Sequence, residues 1–204
     1  MAERVRVAVL ISGRGSNMVA LAEHKRRDPE RPYEIALVAS NVPDARGLVV
    51  AKRLGLKTWA KSHAGMSREE FDAELDAVLT EHGVDLVALA GYMRLLSPGF
   101  VETWAGRILN IHPSLLPAYR GLDTHRRALM AGDEYAGCSV HLVTADLDAG
   151  PVVAQEKVRI LPRDDPESLA ARVLEAEHRL YPVALEDYCR LIAGASSPRL
   201  PDRS

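Results

Sequence analysis

With 204 residues, 47% of them hydrophobic and 26% charged, the chain can bury one large core, and its composition excludes a disordered or fibrous class. A formal net charge of −2 offers no general attraction for nucleic acid or an anionic membrane. Two cysteines, Cys138 and Cys189, exclude a disulfide framework; with no apolar run of membrane-spanning length and no leader-like stretch before Val5, a cytoplasmic location is expected.

Residues 4–11 begin in alternation and become continuously apolar, as a strand entering a buried parallel sheet does. Gly13, Gly15 and Ser16 then make a turn, and residues 17–25 read as a helix carrying Met18, Leu21 and Ala22 inward. Residues 34–40 are a second strand, and residues 45–54 a helix with Leu48, Val49 and Leu54 on one side, stopped by Gly55. A short strand at 57–60 precedes Ser67, which with Glu70 three residues on forms a capping box for a helix through His82. Residues 85–90 and 108–111 are strands four and five. This rhythm predicts an α/β fold with a Rossmann-like, doubly wound, mostly parallel sheet that binds ligands at the carboxyl ends of its strands.

Beyond strand five the pattern changes. Residues 138–143 and 151–159 read as two strands around a loop at 144–150, an antiparallel addition to the sheet. Residues 164–167 open a long C-terminal helix that Pro182 should kink or interrupt. We expect one domain over 1–195, its half 1–105 binding phosphate and its half 106–195 catalytic, followed by a mobile tail at 196–204.

The stretch around Asn110, Ile111, His112 and Pro113 concentrates the chemistry. Side chains two apart on a strand point the same way, so Asn110 and His112 converge where Pro113 ends the strand. Ser12-Gly13-Arg14-Gly15-Ser16-Asn17 opens a helix after strand one, which suits a phosphate monoester, with Ser16 and Asn17 adding side-chain donors. It is neither a dinucleotide fingerprint, since Met18 stands where a third glycine is wanted, nor a Walker loop. Met93, Arg94, Leu95 and Leu96 follow strand four and suit an apolar slot for a flat ligand. Asp148, in an acidic loop, would hold and charge an imidazole near it. His141 reads as a hydrogen-bonded structural histidine and Cys138 as a small buried thiol. The spacing of His112, His125, His141 and Asp148 does not suit a metal, so none is expected.

Together these motifs resemble the phosphoribosylglycinamide formyltransferase family, over nearly the whole chain from Val7 to about Leu185. The resemblance rests on residues 10–17, 90–98 and 110–117, and on Ser139-Val140-His141 with the later Asp148 and Gly150-Pro151. It implies transfer of a formyl group from 10-formyltetrahydrofolate to the amine of glycinamide ribonucleotide, in purine biosynthesis. By resemblance Asn110, His112 and Asp148 are the catalytic trio. Gly15, Ser16, Asn17, Ile111, Pro113 and Glu177 then meet the ribonucleotide, and Arg68, Met93, Arg94, Leu95, Leu96, Asn110, Val143, Thr144 and Asp148 the folate. The implied partners are small molecules, with no nucleic acid and no membrane, on a monomer or homodimer. Arg14, Arg120 and Asp123 depart from the family pattern. The Tyr119-Arg120-Gly121 form is reminiscent of methionyl-tRNA formyltransferase, although net charge and length do not fit that relative. The alternatives are formyltetrahydrofolate hydrolysis on the same trio and non-catalytic phosphosugar or folate binding.

Overall fold

The computed structural model describes residues 4–194, so the tail expected at 196–204 lies outside the described residues. In chain order the elements are β1 (Val5–Ile11), α1 (Ser16–Arg27), β2 (Tyr33–Ser40), α2 (Arg46–Arg53), β3 (Thr58–Ala60), α3 (Arg68–Glu81) and β4 (Leu86–Leu89). Then come α4 (Pro98–Thr103), β5 (Ile108–His112), α5 (Thr124–Ala131), β6 (Tyr135–Leu142), β7 (Val152–Arg159) and α6 (Pro166–Gly194). The strands form one sheet in the order β3-β2-β1-β4-β5-β6-β7. β1 to β5 pair in parallel, and β6 and β7 add antiparallel, as expected. From β1 the chain builds outward first through β2 and β3, then on the other side through β4 and β5. The connections leaving β1 and β4 therefore part between these strands and leave a crevice at their carboxyl ends.

Alternation along β1 explains the two covered faces. Val5, Val7, Val9 and Ile11 enter one apolar layer with residues of α1, α2, α5 and α6; Ala8 and Leu10 enter the other with α3 and α4. A fully buried Leu or Phe is worth roughly 1.5–3 kcal/mol, against about 0–1 for an exposed pair such as Arg190–Asp187. Layer packing, not surface charge, therefore fixes where the helices lie.

Local signals account for most boundaries. α3 starts at the capping box: Ser67 Oγ accepts from Glu70 N at 3.1 Å, and the Glu70 carboxylate accepts from Ser67 N at 2.8 Å. The expected inner face of α2 needs correction. Leu48 is buried, but Val49 and Leu54 are exposed, and Gly47 and Ala51 complete the inward side. Residues 47, 48 and 51 share a face at helical spacing, whereas Val49 is rotated off it.

α6 runs without a break across Pro182, so the expected interruption does not occur. Leu169, Val173, Ala176, Leu185 and Cys189 are buried on both sides of that proline, enough packing to carry one lost backbone bond. Beside it the buried Tyr181 hydroxyl lies 3.0 Å from the Leu89 carbonyl and 3.2 Å from the Leu109 carbonyl, bracing the end of β4 against the first half of β5. Two short helices, α4 and α5, fall where periodicity predicts none.

Candidate active site

β5 sets the centre. Its register pairs Asn110 with His141 and His112 with Ser139 across the antiparallel step to β6. Asn110 and His112 do converge as alternation requires, and Asp148 joins them from the β6–β7 loop. His112 Nδ1 lies 3.4 Å from Asp148 Oδ2, and His112 Nε2 lies 3.0 Å from the Tyr119 carbonyl. Both ring nitrogens thus face oxygen acceptors, which fix the orientation of the ring.

Asp148 holds two loops together. Gly121 N–H donates to its Oδ2 at 2.9 Å, and its own backbone lies in the left-handed region at φ 47°. Asp tolerates that conformation better than most residues. Two residues later Gly150 is compulsory, because a Cβ there would sit 1.9 Å from the Leu142 carbonyl oxygen. Burial works against the Asp148 charge, but hydrogen bonds from His141 and Gly121, with His112 nearby, hold its carboxyl below the usual carboxylate range.

His141 does more than the sequence suggested. It is 1% exposed, and its Nδ1 lies 2.9 Å from the Leu142 carbonyl. Its Nε2 sits between the Asn110 amide nitrogen, at 3.1 Å, and Asp148 Oδ1, at 3.5 Å. The neutral ring accepts from Asn110, which leaves the second amide N–H of Asn110 free for a ligand; the charged ring donates to Asp148. Strand alternation alone could not place His141 here; the β5–β6 register was needed.

The chain after Pro113 is pinned by Ser139, which is fully buried. Its hydroxyl donates to the Ser114 carbonyl at 2.6 Å and accepts from Leu116 N at 3.0 Å, and Gln155 Nε2 holds the Leu116 carbonyl at 2.9 Å. Ile111 is buried in the core, so its side chain faces away from the site and only its backbone lies at the strand end; Pro113 is half-buried.

At the end of β1, Gly15 has φ 75°, and a Cβ on it would come within 3.0 Å of Gly47 Cα. The fold itself therefore demands glycine there, ahead of any ligand. Ser16 is half-buried at the first turn of α1. Asn17 is buried, and its Nδ2 donates to Glu177 Oε2 at 2.7 Å across 160 residues of chain, while its Oδ1 has no partner. Burial pushes the Glu177 carboxyl above the usual range, opposed by the Asn17 hydrogen bond.

After β4, Met93 and Leu95 are 74% and 56% exposed, and Leu96 is half-buried, leaving apolar side chains open at the crevice. Arg94 turns back instead, its Nη2 donating to the Ser67 carbonyl at 2.7 Å. Arg68 is exposed at the start of α3, Val143 is half-buried and Thr144 exposed. Cys138 is fully buried and its thiol is pushed up to about 12 by burial, which fits a packing role. Among the described residues no three His, Cys, Asp or Glu side chains form a metal-ligand group, and no helix is long and apolar enough to cross a membrane.

Comparison with known proteins gives the family of the chain. Residues 5–185 match the family described as Formyl transferase. The chain is 46% identical over 180 residues to the phosphoribosylglycinamide formyltransferase of Escherichia coli (strain K12), covering 88% of this chain and 84% of that one. It is 47% identical over 184 residues to the trifunctional purine biosynthetic protein adenosine-3 of Gallus gallus, spanning 90% of this chain but 18% of that much longer relative. The crystal structure of phosphoribosylglycinamide formyltransferase from Brucella melitensis superposes with a TM-score of 0.86 at 49% identity, over 92% of this chain and 96% of that one. A match of such reach in sequence and backbone, from β1 into α6, means that the chain belongs to the formyl transferase family, among its phosphoribosylglycinamide formyltransferases.

Proposed function

We propose that the chain transfers the formyl group of 10-formyltetrahydrofolate to the amine of glycinamide ribonucleotide, a step of purine biosynthesis. The observation that carries this reading is the junction of Asn110, His112 and Asp148 at the end of β5, beside the crevice between β1 and β4. The folate, when bound, supplies an electrophilic formyl carbonyl. Asn110 directs an amide N–H at the carbonyl oxygen as it gains negative charge. His112 stabilises that oxygen and moves the proton that the attacking amine must lose towards the nitrogen that leaves. Asp148 faces the imidazole at His112 Nδ1 and orients it, and its negative charge complements the positive charge that the ring carries while it moves the proton. The amine attacks the carbon directly, so no covalent bond to the protein is needed.

Met93, Leu95, Leu96 and the loop at 143–148 offer an apolar wall for the pterin, with Arg68 at its outer edge. The loop at 13–17 takes the phosphate on backbone N–H groups and the start of α1. Asn17 Oδ1, buried without a partner beside Glu177, suits the N–H of the ribonucleotide's amine end. The partners are small molecules, in the cytoplasm, without nucleic acid or membrane, on a monomer or homodimer.

The test is formyl transfer by purified protein with each substrate omitted in turn, in buffer containing a chelator. Product is expected only with both substrates present. Formate release without ribonucleotide would instead mean hydrolysis, tight binding without turnover a carrier, and chelator inhibition reversed by zinc a metal-dependent reaction.

Glu177 should trade stability for this function. Its folded carboxyl titrates above the ordinary 4.5, so the native state binds that proton more tightly than the unfolded chain. Stability therefore falls as pH rises through that range, and the ionised carboxylate is a burden at neutral pH. Glu177→Gln removes the charge, keeps an oxygen for Asn17 Nδ2, and brings an N–H that can reach the unpartnered Asn17 Oδ1. At pH 7.5 its melting midpoint should rise by about 2–4 °C, the response of a chain this long to ~1 kcal/mol. KM for the ribonucleotide should rise at the same time. A lower midpoint would show that the carboxylate is stabilised in ways this geometry does not explain.

A further inference from the structure

Ser12 joins what the proposed function treats as two separate substrate sites. It follows β1 directly and begins the loop assigned to the ribonucleotide phosphate. Its N–H donates to the Gly91 carbonyl at 3.1 Å. Its hydroxyl has both hydrogen-bonding roles filled: it donates to Asn41 Oδ1 at 2.6 Å and accepts from Met93 N–H at 2.8 Å. Asn41, just past β2, is 3% exposed and faces His63 Nδ1 at 3.1 Å. One hydroxyl therefore ties together the chain leaving β1, β2 and β4.

The segment at 92–97 has no helix or strand of its own to hold it, and it carries the apolar wall assigned to folate. Side chains suspend it. Ser12 takes the N–H of Met93 at its start, and the buried Asp72 takes the N–H of Ser97 at its end, at 2.5 Å. In between, Arg94 reaches the Met66 and Ser67 carbonyls. Asp72 and the 66–67 carbonyls belong to α3 and the turn before it. Of these side-chain anchors, Ser12 alone belongs to the phosphate loop. On its other side that loop is fixed by Gly47 N–H donating to the Gly13 carbonyl at 2.9 Å. A phosphate that orders residues 13–17 thus also fixes the hydroxyl that holds Met93.

We propose that Ser12 is a positioning residue that couples the ribonucleotide and folate sites, so that each substrate binds more tightly when the other is present. The inference rests on the function proposed above. Coupling is reciprocal in free energy, so either order of addition measures it.

The experiment is calorimetric titration of tetrahydrofolate into the protein, with and without saturating glycinamide ribonucleotide, a pair that cannot react. The wild type should bind tetrahydrofolate about fivefold or more tightly with ribonucleotide present, the low end of ordinary coupling. In Ser12→Ala that ratio should fall towards one. Ser12→Thr, which restores the hydroxyl at a half-buried position, should recover it. Asp72→Asn loosens the same segment from its far end and should weaken folate binding with the ratio kept. A general loss of packing would instead lower both affinities in Ser12→Ala and leave the ratio unchanged, which overturns the proposal. So would loss of the ratio in Asp72→Asn, or a wild type that transfers formyl groups yet shows no coupling. Failure of the wild type to bind either ligand would bring down the functional reading and this inference together.

Discussion

Asn110→Ala should lower kcat by about 10²–10³, the usual cost of losing one oxyanion donor, with the affinity for folate nearly unchanged. The residue is held from three directions, two through its backbone and one through its side chain. β4 pairs with it through Leu89, β6 through His141, and its amide nitrogen contacts His141 Nε2 at 3.1 Å. That bond uses one N–H and leaves the other free for a ligand. Alanine removes the donor without disturbing the ladder, because the strand bonds are backbone bonds. Steady-state kinetics with varied folate provides the check. An unchanged kcat with a large rise in KM would make Asn110 a binding residue and remove the oxyanion role. His112→Ala should give a loss of similar size, and the double variant should lose less than the product of the two if they serve one oxygen.

The sheet was legible in the sequence because each parallel strand is a bounded apolar run and most helices carry a cap or an inward stripe. The two helices that escaped are too short to show an inward stripe. α4 has six residues, too few for a period to show, although Ser97 and Pro98 mark its start by cap and first-turn proline. α5 buries only Thr124 and Ala128, and Asp123 precedes it in a left-handed conformation without a side-chain cap. Val49 misled because an apolar residue on a short helix was counted inward, whereas the tight contact of Gly47 with Ile11 and Gly15 sets the face.

The site divides in the same way. Asn110 and His112 follow from strand alternation, a local property. His141 needs the register of a neighbouring strand, and Glu177 beside Asn17 needs the path of the chain across the 160 positions that separate them. The glycine at position 15 was legible as a turn, but its partner Gly47 explains why no other residue fits. Family resemblance supplied the roles expected of Asp148 and Glu177 where periodicity had nothing to offer, because the contacts of both cross elements that meet only after folding.

Asp148→Asn should reduce kcat by about 10²–10³, on the scale of losing electrostatic stabilisation at a reacting centre, and its stability cost should depend on pH in a defined direction. Asparagine keeps an oxygen for Gly121 N–H and much of the shape of the loop. It removes the charge that faces both imidazoles, at 3.4 Å from His112 Nδ1 and 3.5 Å from His141 Nε2. The oxygen kept for Gly121 N–H is the one that faces His112 Nδ1, so His112 keeps that acceptor and the Tyr119 carbonyl but loses the carboxylate's charge beside it. The carboxyl titrates below the ordinary 3.8 in the folded chain, so its stabilising contribution is complete above that value and is lost as pH falls through the folded value. Urea unfolding should therefore find the variant less stable than wild type at pH 7, with the gap narrowing below about pH 3.8. Single-turnover kinetics at pH 7 tests the chemical step directly. Equal stability at both pH values, with kcat lowered, would assign Asp148 to catalysis without a native-state charge pairing. A gap that widened in acid would reverse the proposed sign of its interaction with the two histidines.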